Sequence, residues 1–188
     1  MPAFHRHLSA ELHVGALLTG VICMKELQFT TGLPLIPVNH IEGHVSANYL
    51  TTPTLQPPFV CLVASGGHSH LVRVEDYGRY TLLGQTVDDA AGEAFDKGAR
   101  ALGLPYPGGP HLSRLAAQGD ATRFRLSHPN PEGRYDFSFS GLKTAFINLC
   151  HGFAQRGEEL PRADLAAAYQ QAIVESLCEK ATLALRES

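Results

Sequence analysis

A chain of 188 residues with 44% hydrophobic and 18% charged residues has the composition of a globular protein with a real core. Its formal net charge of -3 excludes a chain that coats nucleic acid through bulk positive charge, so any RNA contact must be local. Cys23, Cys61, Cys150 and Cys178 stand far apart with no Cys-x-x-Cys pair, which points to reduced, buried thiols in a cytoplasmic protein rather than a disulfide framework.

In chain order, Ser9 is placed to cap a helix with Glu11 in its first turn, apolar positions running to Leu27 and an end near Gly32. Its Val14 to Met24 portion has the look of a signal-peptide core. It is too short to span a bilayer and no small-residue cleavage pattern follows, so it reads as a buried helix with no membrane role. Leu33 to Val38 reads as a short strand with prolines at its margins, followed by a helix over Asn39 to Leu50. The proline-rich Thr51 to Pro58 is the best linker in the sequence. Phe59-Val60-Cys61-Leu62-Val63-Ala64 is an apolar run suited to a strand buried on both faces, and further strands are expected at 70–75 and 80–85. A helix over Asp88 to Leu102 follows, then a short one over Pro110 to Gln118 and an irregular His128-Pro129-Asn130-Pro131 region. Asp136 to Thr144 alternates polar and apolar residues before entering a helix with Ser140 as its cap. The last helix, Arg162 to Leu185, is long and amphipathic, with Pro161 at its first turn.

Several groups could carry chemistry. In Ser65-Gly66-Gly67-His68, two residues without side chains let backbone N–H groups turn toward a phosphate, although Gly-Gly between strands is equally a hairpin signal. His40-Ile41-Glu42-Gly43-His44 stacks two imidazoles on one helix face, near enough to share a metal ion. Two partly buried, backbone-satisfied histidines fit the same spacing, and no third ligand stands nearby in the sequence. Geometry speaks against the zinc-protease arrangement His-Glu-x-x-His: at about 100° per residue Glu42 points about 180° from the midpoint of the histidines. The place of the protease glutamate is taken by Ile41. Asp89, Glu93 and Asp96 are spaced to share a helix face, either as acceptors for ribose hydroxyls or as a solvated acidic face. Gly92 and Gly98, at about 1 kcal/mol each relative to alanine, point to a close approach. Pro107-Gly108-Gly109-Pro110 reads as a rigid turn whose backbone could reach a base or a sugar. Lys143 offers a contact to RNA or phosphate, against the default of an exposed lysine.

Taken together, Ile36 to His44, Ser65 to His68, Asp88 to Lys97, Tyr106 to Pro110 and Asp136 to Thr144, in order and in spacing, resemble the TsaD/Gcp (YgjD) family, strongly from Gly32 onward and more loosely from Val14 to Thr31. The resemblance implies an α/β actin-like ATPase fold (ASKHA, ribonuclease H-like): residues 1–50 as the end of a first lobe, 51–58 as linker, and 59–188 as most of a second lobe. It implies transfer of a threonylcarbamoyl group from threonylcarbamoyl-adenylate to the exocyclic amine of the tRNA adenosine next to the anticodon. In that scheme His40 and His44 ligate iron or zinc, Val63, Ala64, Ser65, Gly66 and Gly67 surround the phosphate of an ATP-type nucleotide, Asp96 binds the ribose and Gly109 the nucleoside. Glu93 and Lys143 are candidate supports. Implied partners are tRNA and TsaB-like and TsaE-like subunits. The family's Asp-x-Ser-Cys-Asp-Glu-Thr loop, its Gly-Gly-Val-x-x-Asn element and its Cys-Thr-Asp-Asn segment have no match here, and Ser113 occupies a position that is acidic in many members, so a partial, inactive chain is expected. The alternatives are a non-catalytic TsaB-like subunit and a metalloprotease.

Overall fold

Residues 14–127 and 130–188 are described by the computed structural model, and they divide into a first unit that closes at Gly43 and a second that runs from His44 to Ser188. The Ser9 cap and the His128-Pro129 stretch lie outside the described residues.

In the first unit, α1 (Val14–Thr31) ends where the hydroxyls of Thr30 and Thr31 turn back onto the carbonyls of Glu26 and Leu27. Gly32 then takes a left-handed φ of 69° that a residue with a Cβ adopts only under strain. The expected burial of this helix does not hold: Leu17, Leu18, Val21, Ile22, Met24 and Leu27 are about half exposed and Phe29 is almost fully exposed. Its apolar residues are spread around the axis, so no single stripe selects a packing surface. Residues 32–39 form no strand either. Pro34 and Pro37 have no N–H to give to a ladder, and Leu33, Ile36 and Val38 remain exposed. α2 (His40–Thr51) begins as the sequence requires, with the Asn39 carboxamide oxygen accepting from the amides of Ile41 at 2.9 Å and Glu42 at 3.2 Å.

The second unit is built on an antiparallel sheet in the order β1-β2-β3, with β1 (Phe59–Ala64), β2 (Ser69–Asp76) and β3 (Arg79–Gln85). β1 is an edge strand. Val63 is buried while Leu62 and Ala64 are exposed, so it alternates in the manner of a one-sided antiparallel sheet and is not buried on both faces as its composition suggests. β2, in the middle, buries Leu71, Val72 and Val74.

Four helices follow: α3 (Ala91–Ala101), α4 (Gly108–Ala116), α5 (Ser140–Arg156) and α6 (Arg162–Glu187). Tyr169 of α6 joins them. Its ring stacks on Phe146 of α5 at 4.2 Å, its hydroxyl donates to the Ala94 carbonyl of α3 at 3.0 Å, and it lies where a Cβ on Gly98 would stand. Gly98 is therefore explained by packing. Phe137 and Phe139, stacked at 6.2 Å and fully buried, precede α5, and the Phe137 amide donates to the Gln85 carbonyl at the end of β3 at 3.0 Å. Burying each of these aromatic side chains contributes roughly 1.5–3 kcal/mol. Cys150 is buried and Cys61 half-buried, but Cys23 and Cys178 are exposed, contrary to the expectation for them; all four are free thiols. Among the described residues no helix is long and apolar enough to cross a membrane.

Candidate functional site

The Ser65-Gly66-Gly67-His68 segment is a hairpin turn in register with its strands. Ala64 pairs with Ser69, the Ser65 amide donates to the His68 carbonyl at 2.8 Å, and the Ser65 hydroxyl accepts from the His68 amide at 3.1 Å. Neither Gly66 nor Gly67 takes a left-handed φ, and a Cβ added at either would meet nothing within 4 Å. Neither backbone strain nor internal packing therefore demands glycine at these two positions. Behind the turn, the rings of His68 and His70 lie 5.4 Å apart, and burial, assisted by the charge of His68, pushes the His70 imidazole below its ordinary value.

The first turn of α3 is pinned to this hairpin. The Ala91 amide donates to the hydroxyl of fully buried Ser69 at 2.9 Å, and the Gly92 amide donates to the Ser65 carbonyl at 3.1 Å. A Cβ on Gly92 would stand 2.6 Å from the Ser65 carbonyl oxygen and 2.8 Å from the Gly66 Cα. Here the close approach inferred from the glycine is that of the chain's own turn. One helical turn onward, Asp96 extends toward the start of α4, where its Oδ1 accepts from the amides of Gly108 at 2.7 Å and Gly109 at 3.3 Å. Gly108 and Gly109 thus form the first turn of a helix, not the isolated rigid turn expected of Pro107 to Pro110. A helix N-terminus presents unpaired N–H groups and a partial positive charge, which a carboxylate satisfies. A cleft of about 310 Å³ opens between these elements, lined by Gly66, Gly92, Phe95, Asp96, Gly109 and Ser113 among others. The structure therefore brings together Gly66, Asp96 and Gly109 of the sequence-derived set, while Val63 and Ala64 lead into the turn from β1.

Asp89 and Glu93 do not line the cleft with Asp96. Asp89 precedes α3 and takes two ammonium groups, Lys97 at 2.8 Å and Lys143 at 2.9 Å, while Glu93 pairs with Lys97 at 2.6 Å. Burial alone would raise the Asp89 carboxyl; the hydrogen bonds from Lys97 and Lys143 outweigh it and hold the group below the usual carboxylate range. Lys143 is thus a partly buried member of an ion network, and neither it nor Glu93 lines the cleft. Asp88, for which the sequence suggested no role, caps α5: it accepts from Ser138 Oγ at 2.6 Å and from the amides of Phe139 at 2.8 Å and Ser140 at 3.2 Å. Ser140, expected to be that cap, is already the first helical residue and makes no capping bond. The signal was the acidic pair Asp88-Asp89 just ahead of a helix, but a cap supplied from fifty residues away lies outside local rules.

His40 and His44 both stand on exposed positions of α2, one turn apart, while Ile41 and Val45 are buried. Two neutral imidazoles suit a borderline metal such as iron or zinc. They make up part of a donor set: among the described residues no group of three or more His, Cys, Asp or Glu side chains is placed to hold a metal ion. Exposed Glu42 lies two residues from each histidine and therefore on the other side of the helix from both.

A family model described as TsaD, tRNA N6-adenosine threonylcarbamoyltransferase, matches residues 13–188. A protein of that name from Clostridioides difficile is 51% identical over 176 residues, which cover 93% of this chain and 52% of the relative. A namesake from Clostridium perfringens is 50% identical over 169 residues, covering 89% of this chain and 50% of the relative. One from Clostridium botulinum is 50% identical over 167 residues, 88% of this chain and 49% of its own length. The chain spans about half the length of the curated relatives it matches. With the turn, the α3 carboxylates and the histidine helix all inside the matched span, the chain belongs to the TsaD family.

Proposed function

We propose that this chain contributes the nucleotide side of a tRNA threonylcarbamoyltransferase. The exocyclic amine of the adenosine next to the anticodon attacks the carbamoyl carbon of threonylcarbamoyl-adenylate; the new C–N bond forms as the C–O bond to phosphate breaks, the amine gives up its proton, and AMP leaves. The observation that carries this reading is the convergence of Gly66, Asp96 and Gly109 on one cleft.

In this reading the turn from Val63 to Gly67 lies against the phosphate, where bare backbone at Gly66 and Gly67 permits an approach that any side chain would block. Asp96 Oδ1 is engaged by the α4 amides, so Oδ2 is the oxygen that meets a ribose hydroxyl. At Gly109, whose Cβ position would touch only Phe95 at 4.0 Å, the nucleoside lies against the start of α4. Glu93 and Lys143 act from outside the cleft by seating α3 through Lys97 and Asp89. His40 and His44 would hold an iron or zinc ion together with donors from outside the described residues. Bound there, such an ion supplies Lewis-acid polarisation of a carbonyl.

The broader proposal is an actin-like chain with residues 1–50 in a first lobe, 51–58 as linker and 59–188 in a second lobe. It works in the cytoplasm on tRNA with TsaB-like and TsaE-like subunits. A purely non-catalytic TsaB-like subunit would have no use for an aspartate and two bare glycines around one cleft, and Glu42 is turned the wrong way for a protease base.

Calorimetric titration with ATP and with a stable threonylcarbamoyl-adenylate analogue tests the site. Asp96→Asn keeps a carbonyl oxygen for the α4 amides, so it is expected to leave the melting temperature within a few degrees and weaken nucleotide binding about tenfold or more. Unchanged affinity would reject the site.

A further inference from the structure

α3 has a second side. Together with α5 it walls a cavity of about 360 Å³ that shares no lining residue with the nucleotide cleft. Lys97, Arg100, Lys143 and His151 stand around an apolar floor that includes Ala101 and Ile147, and no carboxylate lines it. Asp89 and Glu93, behind the two lysines, offset two of the three permanent positive charges, which leaves an excess of one before His151 is counted. Arg100 is exposed, and its guanidinium is in no ion pair or hydrogen bond among the described residues. The ammonium of Lys143 gives one donor to Asp89, and Lys97 gives one to each carboxylate, so both keep donors in reserve.

We propose that this cavity seats phosphate groups of an RNA backbone, on a face of α3 next to the one that lines the nucleotide cleft. The inference rests on the proposed function for its choice of RNA. A chain of net charge -3 can hold a polyanion only by gathering positive charge locally, and here three cationic side chains and a histidine are gathered in a concavity. The guanidinium fork of Arg100 matches a phosphate bidentately, and the floor of Ala101 and Ile147 suits the apolar edge of a ribose.

Fluorescence anisotropy with unmodified tRNA, over salt from about 50 to 200 mM, tests the seat. Arg100 and His151 are both exposed, so the double variant Arg100→Glu, His151→Glu is expected to fold, to bind tRNA roughly tenfold more weakly, and to show a log-log salt slope shallower by about one for each phosphate that is no longer neutralised. Arg100→Lys, which keeps the charge, is expected to retain most of the affinity. ATP affinity should be the same in the unaltered chain and in both variants. Equal tRNA affinity and salt slope in the double variant overturn the inference, as does the absence of tRNA binding by the unaltered chain. Neither result touches the nucleotide cleft, whose own failure is read separately from the titration of Asp96→Asn.

Discussion

Asp88 and Asp96 each place a carboxylate on the exposed amides of a helix begun elsewhere in the chain, α5 in one case and α4 in the other. Each therefore fixes how α3 and its flank sit against a neighbour, since the acceptor is attached to one element and the donors to another. Asp88→Ala leaves two backbone amides and the Ser138 hydroxyl without their acceptor. Thermal unfolding is expected to show a loss of about 1–2 kcal/mol, while Ser140→Ala changes little because Ser140 caps nothing. A larger effect from Ser140→Ala than from Asp88→Ala would contradict this assignment. Helix caps are read from sequence by what lies one residue before the helix, so a cap drawn from the start of α3 leaves no trace at Phe139.

α3 is the element on which both cavities depend, and its two glycines are not equivalent. At Gly98 the neighbour is the Tyr169 ring, so a methyl group there disturbs the core. At Gly92 the neighbours are backbone atoms of Ser65 and Gly66 that cannot rotate away. Gly92→Ala is expected to push the hairpin off the helix and to weaken nucleotide binding more than it lowers the melting temperature in proportion; the reverse ranking, measured by titration and thermal melts, would show that Gly92 is a packing residue only. The ion network beside the cleft gives α3 an acid-sensitive anchor. Asp89 titrates lower in the folded chain than the 3.8 of its free side chain, so its contribution to stability is fully present above that value and is lost as pH falls through the lower folded value. Urea midpoints between about pH 5 and pH 2 are expected to fall less steeply in Asp89→Asn than in the unaltered chain; parallel curves would remove Asp89 from the acid response.

At the scale of the molecule, two exposures stand out. α1 carries an apolar surface that is largely open, and α2 carries two exposed histidines one turn apart. Both fall within the span shared with relatives of about twice this length. In a chain extended to that length, His40→Ala and His44→Ala are each expected to lower bound iron or zinc by more than half, measured by elemental analysis after dialysis. Full metal content in both variants would withdraw the histidines as ligands.

The sequence determined by itself those features whose causes are local: β1, β2 and β3 with their glycine turn, the helical spacing of His40 and His44, and the stretch from Asp136 into α5, all of which formed within a few residues of where periodicity and turn chemistry put them. Motif order was also enough to point to the TsaD family, because several short patterns in register carry far more information than any one of them. Only the tertiary structure decided which partner each polar group found. It gave Asp89 and Glu93 to lysines and Asp96 to the amides of α4, left α1 exposed despite its apolar content, and kept Leu33 to Val38 out of any sheet. Hydrogen-bond geometry and burial depend on groups distant along the chain, whereas composition and spacing report only on neighbours.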